Sequence, residues 1–270
     1  MTTLQTELLT IESPDGTLLG VERVGSGPAL LAVHGGIGDR SRWDVLKERI
    51  ADRFTLYLLD RRGRGASTRE SSEPYALERE VDDVLAVIDA IGGPVRYLGH
   101  SYGALLGLEA LIRTDAITHA LLYEPPFDTD GNVMIRAETL DAIEARIDAG
   151  DREGALDVFY RDVLGTDSTP FKSLPMWPVR IAIVHTIVRE GRIGLTYRCE
   201  PDRFADVSAR VRILLGTESP ETFRGAAIAS RAAIAGSEIV MLPGQGHTMI
   251  DVDPDGFVAQ VDAFLGSSEG

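Results

Sequence analysis

The chain has a single cysteine, Cys199, and few aromatic residues, which make up 6% of the sequence. One cysteine cannot form an internal disulfide, and one thiol cannot hold a metal ion by itself. No apolar run approaches the roughly 20 residues that span a bilayer, and no basic stretch followed by an apolar one opens the chain. We therefore expect a cytoplasmic protein that does not enter membranes, with Cys199 buried or idle.

Basic residues are also fewer than acidic ones: the sequence has 27 Lys and Arg and 42 Asp and Glu, which gives a net charge of -15. A surface of this sign repels polyphosphate chains, so nucleic acid is not expected as a partner. Apolar residues are plentiful, at 44% of 270 residues, which is enough for one domain with a large core. The expected partner is a small apolar molecule, and the chain is expected to be a monomer or a homodimer.

Short apolar runs recur along the chain and predict buried strands. Two alternating runs that flank Pro14-Asp15-Gly16 predict an N-terminal hairpin. Six further runs follow, at 29–33, 55–60, 95–100, 120–124, 211–216 and 238–242. Residues at helical spacing lie between two of these runs, at 81–91. The alternation predicts the α/β fold class, with a mostly parallel, doubly wound, eight-stranded sheet.

The alternation stops after Pro125, where three patterns are helical: 138–150, 154–165 and 179–190. This interval predicts a helical cap inserted over the carboxyl ends of the strands. We expect one domain, with its core at 1–125 and 203–270 and its cap at 126–202. Trp177, which lies between two prolines, is expected to form a wall of the substrate pocket, and Ile37 is expected to contact substrate from the core.

Ser101 is the centre of a Gly-His-Ser-Tyr-Gly pentapeptide, where a predicted strand meets a predicted helix. Glycines two residues before and after the serine remove Cβ atoms where such a turn is tightest. The Gly-x-Ser-x-Gly pattern recurs around Ser268, but no strand or helix pattern flanks it. We therefore predict Ser101 as a nucleophile, and the alternative is a serine that only caps a helix.

A serine nucleophile needs a base and needs donors for the oxyanion that forms on attack. His247 follows the last predicted strand, so we expect it at the same carboxyl edge of the sheet as Ser101 and predict it as the base. The backbone N–H groups of Gly36, in a glycine-rich turn after a strand, and of Tyr102, next after the serine, are the predicted oxyanion hole.

Four segments together resemble the α/β-hydrolase superfamily, in its small, cap-bearing, esterase-like branch. They are HGGIGD after the third strand, LLDRRGRGAS after the fourth, GHSYGA after the fifth and GQGH after the eighth. The resemblance covers nearly the whole chain. It implies the α/β-hydrolase fold, a catalytic triad that needs no cofactor and no metal, and a structural role for the segment from Asp60 to Ser67.

The chain departs from this family at one position. The family usually has an aspartate as triad acid three residues after the glycine that closes the seventh strand, and here Ser219 occupies that place. Serine has no carboxylate with which to hold the imidazole tautomer. Glu124, at the end of the sixth strand, is the predicted acid, because some branches of the family take it from there. Glu218 is the alternative, and Asp251 or no acid remains open.

Three functions follow from this reading. The leading one is a serine hydrolase that cleaves an ester, thioester or lactone of a small apolar substrate through an acyl-enzyme on Ser101. A second is C–C bond hydrolysis or cofactor-free haloperoxidase-like chemistry on the same triad. The third is a non-catalytic protein that binds a small ligand in the same pocket.

Overall fold

The computed structural model describes residues 6–68, 75–129 and 133–266. The second serine pentapeptide, around Ser268, falls outside these ranges. Eight strands form one sheet in the described residues. They are β1 Thr6–Glu12, β2 Leu18–Gly25, β3 Ala29–Val33, β4 Thr55–Leu59, β5 Val95–His100, β6 Ile117–Tyr123, β7 Arg210–Gly216 and β8 Glu238–Leu242.

The α-helices lie between and after these strands. They are α1 Asp44–Ile50, α2 Leu77–Ile91, α3 Tyr102–Arg113, α4 Ala137–Asp148, α5 Arg152–Asp162, α6 Trp177–Ile183, α7 Thr186–Thr196, α8 Glu221–Ala233, α9 Met249–Val252 and α10 Pro254–Leu265. Short 3₁₀ turns occur at Arg40–Trp43, Thr169–Phe171 and Pro201–Phe204. None of the helices in the described ranges combines the length and apolar character needed to cross a membrane.

The sheet order is β1-β2-β4-β3-β5-β6-β7-β8. The pairs β1–β2 and β2–β4 are antiparallel, whereas every pair from β4–β3 onward is parallel. The predicted mostly parallel, eight-stranded sheet is therefore confirmed. Strand β6 begins earlier than its apolar run, because the polar but buried His119 interrupts the pattern while its backbone pairs with β5 and β7.

Alternate strand residues face opposite sides of the sheet and enter two separate cores. In β3, Leu31 and Val33 pack in the larger core, and Leu30 and Ala32 pack in the smaller one. The larger core includes residues of α2, α3 and α8, whereas the smaller includes residues of α1 and α10. Because both faces are covered, the central strands are mostly apolar rather than alternating.

The chain between β6 and β7 is helical, from α4 to α7, and its apolar side chains join the larger core. One predicted helix in this region, at 179–190, is divided into α6 and α7. At the break, the Arg152 guanidinium donates hydrogen bonds of 2.9 Å and 2.6 Å to the carbonyls of Ile181 and Ala182. These carbonyls would otherwise accept from amides one turn further along a continuous helix.

Candidate active site

Ser101 lies in a strained turn between β5 and α3, with φ 54° and ψ -121°. Glycine is required at positions 99 and 103 because the backbone there lies too close to neighbouring backbone atoms to leave room for a Cβ. A Cβ on Gly99 would lie 2.7 Å from the backbone nitrogen of Ala104, and one on Gly103 would lie 2.1 Å from the carbonyl oxygen of Val33. The turn therefore packs directly against the neighbouring strand and helix, and the partly exposed Ser101 lies at the carboxyl edge of the sheet.

The His247 side chain lies at the same edge, in the loop after β8, and is 7% exposed. Its Nδ1 is 2.6 Å from Oε2 of Glu124. The imidazole is stacked on Phe223, with ring centroids 4.3 Å apart, and also contacts His100 at 4.7 Å. These contacts fix the ring plane and leave Nε2 as the nitrogen not engaged by the carboxylate.

The Glu124 carboxylate is fully buried directly after β6, on a residue with φ 51°. Its Oε1 accepts hydrogen bonds from the Gly216 amide at 2.7 Å and from the Ser219 hydroxyl at 2.6 Å. The alternative acid, Glu218, is exposed and receives a hydrogen bond from the Thr217 hydroxyl. The structure thus brings Glu124, and not Glu218, to His247.

The Ser219 hydroxyl holds the Glu124 carboxylate in place, a role that the sequence did not predict. Ser219 stands where the family usually has its acid, and here its hydroxyl donates to the carboxylate of Glu124, which lies directly after another strand. We expect Ser219→Ala to lower kcat by about threefold to a hundredfold with little change in KM, because one hydrogen bond to a charged group is lost while the Gly216 amide stays. Steady-state kinetics check this, with Ser219→Thr as the variant that keeps the hydroxyl. Equal loss in both variants would contradict it.

The turn after β3 passes close to Ser101, since a Cβ on Gly35 would lie 2.9 Å from the Cβ of Ser101. The Gly35 carbonyl accepts a hydrogen bond from Arg61 at 3.0 Å, and the Gly36 carbonyl accepts one from Arg64 at 3.1 Å. In a trans peptide the N–H points opposite to the carbonyl. The Gly36 N–H therefore points away from the buried arginine. The N–H of Tyr102, first in α3, has no acceptor within its own helix.

Buried ion pairs hold these arginines. Arg61 donates to both carboxylate oxygens of Glu80 at 2.7 Å, and it also donates to Glu190 of α7 at 2.9 Å. Arg64 pairs with the same Glu190. Burial raises the pKa of Glu80, but Arg61 outweighs it and lowers that pKa to about 2. The segment from Asp60 to Ser67 thus braces the glycine turn and ties it to the helical region.

Two small cavities adjoin Ser101. One, of about 40 Å³, is the charged cavity: its lining includes Arg42, Arg180, His247 and Asp251. The other, of about 60 Å³, is the apolar cavity, with lining that includes Met134, Ile135, Val163, Ile187 and Phe223. Glu190 also lines it, with its carboxylate paired to Arg61 and Arg64. Gly36 and Ser101 line both cavities. The serine hydroxyl therefore lies where two compartments of different polarity meet.

Of the two predicted substrate contacts, Ile37 and Trp177, one lines a cavity beside Ser101 and the other does not. Ile37 lines the charged cavity. Trp177 is not among the residues that line either cavity, and its ring instead lies 5.9 Å from that of Tyr160, which does line the charged cavity. Arg42 and Arg180 were not predicted, because residues so far apart in sequence carry no local signal that they meet.

The other potential nucleophile, Cys199, is partly buried and lines neither cavity. Burial and the nearby Glu109 raise the pKa of its thiol to about 12. At pH 8 we expect iodoacetamide to alkylate Cys199 in the folded protein at least about a hundredfold more slowly than in the urea-unfolded chain, since only the thiolate reacts. Timed alkylation with mass analysis checks this, and equal rates in the two states would contradict it.

In the described ranges, no three His, Cys, Asp or Glu side chains are grouped as a metal ion would require. The sheet order, the turn at Ser101 and the placement of His247 define an α/β-hydrolase architecture. Residues 30–260 match the alpha/beta hydrolase family, and the chain belongs to that family.

Similarity to individual hydrolases supports this assignment. An α/β hydrolase of known structure from Sphaerobacter thermophilus is 32% identical, with a TM-score of 0.81 over 95% of this chain and 100% of that one. The 2-(acetamidomethylene)succinate hydrolase of Mesorhizobium japonicum is 25% identical over 92% of this chain and 91% of that protein. The N-formylmaleamate deformylase of Pseudomonas putida is 31% identical over 40% of this chain and 41% of that protein. The chain is thus a hydrolase.

Proposed function

We propose that this hydrolase cleaves a small carboxylic ester through an acyl-enzyme on Ser101. His247 Nε2 accepts the Ser101 proton as the hydroxyl oxygen bonds to the acyl carbon, and then donates that proton to the departing alcohol. Glu124 holds the imidazole tautomer and stabilises the imidazolium. Water, deprotonated by His247, attacks the acyl-enzyme and releases the acid and free Ser101.

The observation that carries this proposal is the Glu124–His247 pair beside a strained serine. A buried carboxylate 2.6 Å from Nδ1 leaves the opposite nitrogen for proton transfer, and Ser101 and His247 line one cavity. The N–H groups of Gly36 and Tyr102 would receive the oxyanion. The helical region between β6 and β7 acts as the cap, because its residues Phe159 and Leu164 line both cavities.

A carboxylic amide is the second candidate for the bond that is cleaved. Two relatives carry names that refer to N-acyl or N-formyl compounds, a deformylase and an acetamidomethylene compound hydrolase. The same groups serve both bonds, but an amine leaves less readily than an alcohol and depends more on protonation by His247.

A fluorophosphonate probe and a pair of chromogenic substrates test the proposal. We expect the probe to add one phosphonyl group to the wild-type protein, and peptide mass analysis to place it on Ser101. We also expect hydrolysis of p-nitrophenyl acetate, with p-nitroacetanilide distinguishing the amide candidate by its turnover. A protein that neither reacts with the probe nor hydrolyses either substrate would overturn the proposal and leave the binding-protein alternative.

A further inference from the structure

The charged cavity contains more positive than negative charge. Arg42, on the 3₁₀ turn after β3, and Arg180, on α6, both pair with a single carboxylate, that of Asp251 on α9. Arg180 is 2% exposed, and its Nη2 lies 3.3 Å and 3.1 Å from the two oxygens of Asp251. We call these three residues the Arg42–Asp251–Arg180 cluster.

No other group that lines the cavity supplies the missing negative charge. Burial raises the pKa of Tyr160 to about 12, so its hydroxyl, which accepts from Arg180 Nη1 at 2.6 Å, stays neutral. Burial lowers the pKa of His100, which keeps that ring neutral. Burial raises the pKa of Asp251, but Arg42 and Arg180 outweigh it and hold that pKa below its usual value. The groups that line the cavity thus carry one more positive than negative charge.

This excess is specific to the charged cavity. The other pair of buried arginines near the site, Arg61 and Arg64, meets two carboxylates, those of Glu80 and Glu190. Nε of Arg180 is buried without a hydrogen-bond partner among the described residues, as is Nε of Arg64, so the two pairs differ in their carboxylates and not in this respect. Such a group costs stability unless something binds to it.

We propose that the charged cavity binds a carboxylate on the leaving-group half of the substrate. A guanidinium is a planar fork of donors that matches a carboxylate, and Arg42 and Arg180 together supply the charge that a single Asp251 does not neutralise. This inference rests on the proposed acyl-enzyme mechanism at one step only, which is the assignment of each half of the substrate to one of the two cavities.

The positions of His247 and of the apolar side chains set that orientation. His247, which protonates the leaving oxygen, lines the charged cavity and not the apolar one. The apolar cavity, with Met134, Ile135 and Phe223, is therefore left for the acyl group. The expected substrate is a small ester whose acyl half is apolar and whose leaving alcohol carries a carboxylate.

Matched pairs of esters test this. Acetoxyacetate carries the carboxylate on its leaving group, and acetoxyacetamide is its neutral counterpart. Monomethyl succinate and methyl succinamate place the same difference on the acyl half. In pH-stat assays we expect kcat/KM for acetoxyacetate to exceed that for acetoxyacetamide by about tenfold or more, as hydrogen bonds to a charged group provide. We expect no such preference within the succinyl pair. An absent preference, or one confined to the succinyl pair, would overturn the assignment.

Variants of the cluster separate a binding role from a structural one. Arg180→Gln and Asp251→Asn break the same ion pair, so a structural role predicts parallel losses on both acetoxy substrates. A carboxylate site predicts opposite changes in the charged-to-neutral ratio: Arg180→Gln and Arg42→Gln lower it about tenfold, and Asp251→Asn raises it. Ratios that do not change in any variant would refute the proposal.

A binding measurement keeps this test independent of catalysis. Calorimetric titration of the Ser101→Ala variant with acetoxyacetate is expected to show binding that the additional Arg180→Gln substitution weakens about tenfold. If wild-type protein fails to hydrolyse p-nitrophenyl acetate but this binding is found, the proposed mechanism fails and the carboxylate site stands. If wild-type protein hydrolyses p-nitrophenyl acetate but this binding is absent, the proposed mechanism stands and the carboxylate site is refuted.

Discussion

Ser101→Ala is expected to lower kcat/KM for p-nitrophenyl acetate by about four orders of magnitude or more, because the acyl-enzyme has no other oxygen on which to form. Oxyanion donors and substrate binding survive the change, so a small residual rate above that of buffer should remain. The substitution removes a single oxygen from a partly exposed side chain. Its effect on thermal unfolding should therefore be small, and circular dichroism melts check that the loss is chemical.

The chain contains its own matched control for this experiment. Ser268 lies in the same Gly-x-Ser-x-Gly pattern, so Ser268→Ala makes the same substitution in a second copy of that pattern. We expect that variant to retain wild-type turnover and to be labelled by the fluorophosphonate at Ser101. If Ser268→Ala loses activity while Ser101→Ala keeps it, the nucleophile has been placed wrongly.

Glu124→Gln is expected to lower kcat by about three to four orders of magnitude, with KM nearly unchanged. The amide has almost the same shape, so Gly216 and Ser219 can still hold its oxygen, as they hold Oε1 of the glutamate. Its NH₂ would then face Nδ1 of His247 and force that nitrogen to accept a hydrogen bond rather than donate one. The opposite nitrogen would carry the proton and could no longer act as a base.

Glu218→Gln is the control for that experiment, because the same exchange occurs on an exposed side chain next to Ser219, the residue whose hydroxyl bonds to Glu124. We expect less than about a twofold change in kcat, as for most surface substitutions. Comparable losses in the two variants would contradict the assignment of Glu124 as the acid. A loss in Glu218→Gln alone would transfer the role to the seventh strand.

Much of the fold could be predicted because strand character is local. The runs at 29–33, 95–100 and 238–242 coincide with β3, β5 and β8, since apolar residues make up most of each strand even where Arg96 or Glu238 interrupts the pattern. The split between α6 and α7 could not be predicted, because no local pattern marks it and the Arg152 side chain that bonds to the carbonyls there is distant in sequence.

The site divides in the same way. The placement of Ser101 and His247 at one edge of the sheet could be predicted because each follows a strand in a sequence with a recognisable turn. Ser219, which a motif reading marks as a defect, is explained only by its 2.6 Å contact with Glu124. The pairing of Arg42 and Arg180 with Asp251 could not be predicted, because the three residues lie far apart in the sequence and meet only in the folded protein.

In the described ranges, two residues other than glycine have positive φ, and they are Ser101 and Glu124. A left-handed backbone costs a residue with a Cβ about 1–2 kcal/mol, and glycine escapes that cost. Selection for thermal resistance alone would therefore favour Ser101→Gly, which removes the nucleophile along with the strain. Directed evolution of a more robust form must screen for turnover in every round, because heat resistance and activity favour different residues at this turn.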